Sequence, residues 1–151
     1  MKNTELTELI TPRETITFPM DASLYDLLLP LRENWKIHNF YFVDRENRLQ
    51  GVLTKCRILE FLAPLYGTVS GGQELFIEER LSRARGNKIL QSPFPFLQAG
   101  HTLSEGLAIF VQYETNHLPL LDRKGHLLGE ISADRLLKLL PSSEREHLYA
   151  V

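Results

Sequence analysis

One stretch of this chain is written twice, and that constrains its fold more than any other feature. Phe40–Leu62, FYFVDRENRLQGVLTKCRILEFL, aligns without a gap on Leu118–Leu140, LPLLDRKGHLLGEISADRLLKLL, at an offset of 78. Seven of the 23 positions are identical: Asp44/Asp122, Arg45/Arg123, Leu49/Leu127, Gly51/Gly129, Arg57/Arg135, Leu59/Leu137 and Leu62/Leu140. Thr54 meets Ser132, so a hydroxyl is kept as well. Upstream the offset becomes 79, and ASLYDLL from Ala22 falls on HTLSEGL from His101. This period exceeds the roughly 20–50 residues of solenoid units, so the pattern predicts a duplicated small domain rather than an array.

Each copy reads in a similar order. A short extended segment opens it, Thr15–Phe18 (TITF) in the first and Pro93–Leu97 (PFPFL) in the second. A helix follows, with Leu24, Leu27, Leu28 and Leu31, or Leu103, Leu107, Phe110 and Val111, at helical spacing. Ser23-x-x-Asp26 and Thr102-x-x-Glu105 have the form of capping boxes, in which the first side chain satisfies orphan helix N–H groups. Pro30 is expected to kink or shorten the first helix, because it lacks an N–H and clashes with the preceding turn. Two strands then join through DREN and DRKG turns. A final helix closes the copy, Lys55–Leu65 or Ala133–Leu140, the second stopped by Pro141. Strands mixed with helices in short units predict an α+β or α/β layer.

Between the copies, PLYGTVSGG (Pro64–Gly72) has loop composition. QELFIEERLSRARG then predicts an amphipathic helix with Ile77, Leu81 and Ala84 on one face and Gly86 as its C-cap. The charges Glu78, Glu79, Arg80, Arg83 and Arg85 read as a solvated face. The expected boundaries are 1–65 for lead-in and first repeat, 66–87 for loop and linker helix, 88–141 for the second repeat, and 142–151 for a tail.

Composition narrows the function. Net charge −2 offers no electrostatic case for nucleic acid or an anionic membrane, either of which favours a basic surface. No apolar run approaches the roughly 20 residues that span a bilayer, and the mixed, acidic start is not a secretory signal. The single cysteine, Cys56, excludes an intramolecular disulfide and fits a reducing compartment, so a cytoplasmic location is expected. Cys56 has no evident base partner and reads as inert. His38, His101, His117, His126 and His147 form no i, i+4 pair and have no Cys partner, which argues against zinc. Trp35, Phe40, Tyr41 and Phe42 read as core rather than as an adenine-stacking platform. With no nucleophile–base motif, Walker loop or GxGxxG, no enzyme is expected.

Two units of the form strand, Asp turn, strand with glycine, Ser/Thr, helix resemble the tandem CBS-domain pair, or Bateman module. LTELITPRETITFPMDASLYDLL is similar to that family's lead-in, and NHLPLLDRKGHLLGEIS from Asn116 to its second half. The resemblance runs from Leu6 to Leu140. It implies an α+β fold of two βαββα repeats packed with pseudo-twofold symmetry, non-catalytic and regulatory, commonly dimeric. It also implies two clefts that often take adenine-containing ligands such as AMP, ATP or S-adenosylmethionine. The family's motif G-h-h-[S/T]-x-x-D corresponds here to GVLTKCR (Gly51–Arg57) and GEISADR (Gly129–Arg135). Both copies place an arginine, Arg57 or Arg135, where the family has a ribose-binding Asp. Asp134 stands one position early, rotated by roughly 100° on a helix. Arginine has no acceptor, so it cannot hold ribose hydroxyls as a carboxylate does. The region of His117 and Pro119 lines the cleft in the family.

Thr54 and Ser132 each stand where a strand passes into a helix. The simplest reading makes them N-caps, although the same geometry is an anion site. Arg57 and Arg135 then fall in the first helical turn, where a cation opposes the macrodipole at roughly 0.3–1 kcal/mol. Compensation comes either from a protein carboxylate such as Asp44, Asp122, Glu130 or a partner's, or from a phosphate bridging hydroxyl, backbone N–H and guanidinium. The candidate ligand residues are Thr54, Arg57, His117, Pro119, Ser132, Asp134 and Arg135. The expected function is sensing of a small anionic metabolite, an adenine nucleotide or another phosphate-containing ligand, by a homodimer that signals to an effector protein. The contrasting expectation is a ligand-free dimeric scaffold whose arginines are structural.

Overall fold

The computed structural model describes residues 6–10, 15–34, 36–68 and 74–139. Trp35, the Thr11–Pro12 lead-in, Pro141 and the tail lie outside them. The chain divides into two compact units. One comprises Arg13–Phe94 with Gly125–Leu127, the other Met1–Pro12, Pro95–Lys124 and Leu128–Val151.

The first unit contains β1 (Thr17–Pro19), α1 (Leu24–Glu33), β2 (Asn39–Val43), β3 (Leu49–Thr54), α2 (Lys55–Thr68) and α3 (Glu74–Arg83). Its sheet runs β1-β2-β3. β1 is parallel to β2 in the register Phe18 to Phe42, and β2 is antiparallel to β3 in the register Phe40 to Leu53. Alternation along β2 sends Phe40 and Phe42 into one core with Phe18, Leu24, Leu27, Ile37, Leu53, Ile58 and Leu81. The Phe18 ring lies 5.7 Å from Phe40 and 5.8 Å from Phe42.

The second unit contains β4 (Leu97–Gln98), α4 (Leu103–Tyr113), β5 (His117–Leu121), β6 (Leu127–Ser132) and α5 (Ala133–Leu137), with sheet order β4-β5-β6. Its core joins Leu97, Phe110, Leu118, Leu120, Ile131 and Leu136 to Leu6 and Leu9 of a 3₁₀ turn. The lead-in to the first repeat therefore fills the core of the second. The two repeats have the same element order, an α+β βαββα unit used twice, as the alignment predicts.

Both capping boxes form. Ser23 Oγ accepts from the Asp26 N–H at 3.2 Å while Asp26 Oδ2 accepts from the Ser23 N–H at 3.0 Å, and Thr102 with Glu105 repeats the pattern. Several expected boundaries move. β1 ends at Pro19 rather than Phe18, tolerable because β1 pairs on one side only. Of PFPFL only Leu97 is strand, since Pro93 and Pro95 have no N–H to donate to a ladder. Pro30 does not end α1, which runs three residues further. α2 passes through Pro64 to Thr68, so the start of the expected loop is helical. α5 ends at Leu137, short of Leu140.

Gly86 is not a helix cap. It opens a 3₁₀ turn, Gly86–Lys88, and its lack of a side chain is a packing requirement. A Cβ there would lie 2.5 Å from Cζ of Phe42.

Candidate ligand-binding site

β3 passes into α2 without a linker, and Thr54 is the last strand residue. Its Oγ1 accepts from the Arg57 N–H at 3.2 Å, satisfying one of the orphan donors of the helix start. The first turn of α2 carries Lys55 and Arg57 and no acidic residue, against the usual macrodipole preference. The Arg57 guanidinium is compensated from its own helix: Nη1 donates to Glu60 Oε2 at 3.1 Å, and Nε donates to the Ile89 carbonyl at 3.3 Å. The compensating carboxylate is thus Glu60, not Asp44, which is taken by Arg48 at 2.9 Å. With side chains 54% and 66% exposed, the Arg57–Glu60 pair is screened by water and contributes at most ~1 kcal/mol. It can yield to a stronger anion.

Thr54 and Arg57 open onto a cavity of about 340 Å³ whose other lining residues are Val52, Leu90, Gln91 and Ser92. The Leu90–Ser92 segment pairs with β3 through Val52 and Gln91. Leu90 fits because position 51 is glycine; a Cβ there would meet its Cδ1 at 2.8 Å. The cavity offers the hydroxyls of Thr54 and Ser92, the positive end of α2 and the remaining N–H groups of a guanidinium. Among the described residues its lining holds no carboxylate, and the arrangement suits recognition of an anion.

In the second unit Ser132 Oγ accepts from the Arg135 N–H at 3.4 Å and caps α5. Asp134 and Arg135 are both exposed in its first turn. Among the described residues no carboxylate pairs with the Arg135 guanidinium. The Ala133 N–H donates to the Asn116 carbonyl at 2.8 Å, which brings the start of β5 to the start of α5. His117 is half-buried there, exchanging hydrogen bonds with the Thr115 hydroxyl, while Pro119 is buried within β5.

Structure thus gathers Thr54 and Arg57 at one cavity, and sets His117 beside the Ser132 junction. Sequence reasoning missed Glu60, Leu90, Gln91 and Ser92. Glu60 was within reach, since i, i+3 pairs face each other on a helix. Leu90–Ser92 carry no local pattern. Among the described residues no group of three His, Cys, Asp or Glu is placed to hold a metal, and no helix is long and apolar enough to cross a membrane.

A search of the curated proteins finds no match. Among solved structures the chain is similar to the cytosolic domain of the Mg²⁺ channel MgtE in complex with ATP, at 21% identity and TM-score 0.68. It covers 90% of this chain but 48% of that one, so the chain spans about half the length of that relative. CBSX2 in complex with AMP is similar at 16% identity and TM-score 0.68, covering 95% of this chain and 98% of that one. CbpB in complex with c-di-AMP is similar at 14% identity and TM-score 0.70, covering 98% and 91%. At these identities the likeness is one of fold. The CBS domain family matches residues 6–64 and again 87–142. With two matching segments, two βαββα units and most of its length accounted for, the chain belongs to the CBS-domain family as a tandem pair.

Proposed function

We propose that this CBS pair is a non-catalytic regulatory module that senses a small anionic ligand and passes its state to a partner protein. The observation that carries this reading is the Thr54–Arg57 cavity. Hydroxyl, helix start and guanidinium converge on one opening of about 340 Å³, and the guanidinium is held only by a solvent-screened carboxylate and one carbonyl. A phosphate is the anion this donor set suits, because it can take the planar fork of Arg57 in two parallel bonds. Three similar structures carry adenine nucleotides, which makes ATP, AMP and c-di-AMP the first ligands to test. Ser132, Asp134 and Arg135, with His117 and Pro119, form the corresponding second candidate.

A ligand can report by favouring one arrangement of the module over another. The scaffold reading draws on the Arg57–Glu60 pair and the two N-caps, which give the Arg57 side chain and both hydroxyls structural duties. A thermal-shift panel of adenine and guanine nucleotides, S-adenosylmethionine, NAD and inorganic phosphates, with and without Mg²⁺, separates the readings. A ligand at 100 times its Kd adds roughly 2.7 kcal/mol, several degrees at this size. The expected result is a selective shift that Arg57→Ala abolishes. A flat panel would sink the sensing reading in favour of the scaffold.

A further inference from the structure

The cavity beside α2 has walls from two distant parts of the sequence. Val52, Thr54 and Arg57 form one, and Leu90, Gln91 and Ser92 the other. Three kinds of contact hold the second wall in place. Its backbone pairs with β3, the Gln91 N–H donating to Val52 O at 2.9 Å and the Val52 N–H to Gln91 O at 3.4 Å. Leu90 occupies the space that a Cβ on Gly51 would need. The Arg57 Nε donates to the Ile89 carbonyl at 3.3 Å. This last contact uses a charged side chain that also faces the cavity. A guanidinium has five N–H groups; Ile89 takes one and Glu60 another, which leaves three.

We infer that Arg57 is a latch, coupling the docking of segment 89–92 on β3 to anion occupancy of the cavity. The ligand half of this inference rests on the proposed function, whereas the latch half does not. An anion on the free N–H groups touches both walls while Nε keeps its bond to Ile89. It therefore binds the docked state and not the undocked one. By linkage it stabilises docking to the extent that docking favours it. Filling the cavity thereby fixes the position of the segment that opens the second repeat.

Amide hydrogen exchange on the full chain tests both halves. Without ligand, Arg57→Ala is expected to speed exchange at Gln91 by about two- to tenfold, the usual worth of one hydrogen bond, and to leave β2 unchanged. Unchanged exchange at Gln91, or equal acceleration in β2, would overturn the latch. Glu60→Gln keeps the Nε bond and is expected to match the wild type; acceleration equal to that of Arg57→Ala would assign the effect to charge and also overturn it. With ATP or inorganic pyrophosphate bound, exchange at Gln91 is expected to slow. Bound probe with unchanged or faster exchange would refute the coupling. If calorimetry finds that neither probe binds, the ligand half falls with the anion reading, and the ligand-free comparison alone decides the latch.

Discussion

At the scale of single residues, equivalent positions in the two repeats solve the same problem with different chemistry. Asn47 and Gly125 are 78 apart, and both stand in the left-handed region, with φ of 64° and 89°. One turn uses glycine, for which that region carries no steric penalty, and the other an asparagine, which tolerates it. The glycines at 51 and 129 are kept for a different reason. Each faces an apolar side chain, Leu90 or Ile10, that leaves no room for a Cβ. Gly86 belongs with them. Gly86→Ala would drive a methyl into the Phe42 ring and is expected to cost about 1–3 kcal/mol in urea unfolding. Gly100→Ala has no atom within 4 Å of its added Cβ and is expected to fall within about 0.5 kcal/mol of wild type. Equal losses at the two sites would refute the packing explanation.

At the scale of elements, the β2–β3 hairpin turn is organised by one carboxylate. Asp44 Oδ1 accepts from the N–H groups of Glu46 and Arg48, each at 2.9 Å, while Oδ2 meets the Arg48 Nε at 2.9 Å. The Arg48 N–H, followed by that residue's side chain, holds the Asp44 carboxyl below the usual value of about 4. The sign follows from linkage. A group with a depressed native pKa stabilises the fold above its unfolded pKa, and that stabilisation is lost as pH falls through the native value. Asp44→Ala is therefore expected to be less stable than wild type at pH 7, with the gap closing below about pH 4. A gap independent of pH would assign the loss to something other than the charge. The turn was legible in DREN, because Asp, Asn and their neighbours form such turns locally. The same is true of both capping boxes, whose partners lie three residues apart.

At the scale of the whole molecule, repeats and compact units do not coincide. Leu6 and Leu9 precede the first repeat yet pack with Leu97, Leu118 and Ile131 of the second. Leu90 stands at the start of the second repeat yet packs on the core of the first. Each core thus takes in the opening segment of the other repeat. Leu59 and Leu137, identical in the repeat, remain exposed on α2 and α5. The homodimer expected from the sequence would bury these leucines between copies. Sedimentation at micromolar concentration is then expected to find about twice the 17.4 kDa chain mass, and Leu59→Glu with Leu137→Glu to reduce it to one. A wild-type monomer would rule out the expected dimer.

The duplicated βαββα plan, both helix starts, the turn chemistry and the hydroxyls at the strand–helix junctions can all be read from the order of residues along the chain. Each of these is a short-range matter, written in periodicity or in residues three or four apart. Folding in three dimensions was needed to show that Gly86 serves Phe42 rather than a helix end, that Glu60 rather than Asp44 answers Arg57, and that Leu90–Ser92 wall the cavity. The first and last depend on which segments meet across 30 or more residues, where close packing selects partners without leaving a period to read.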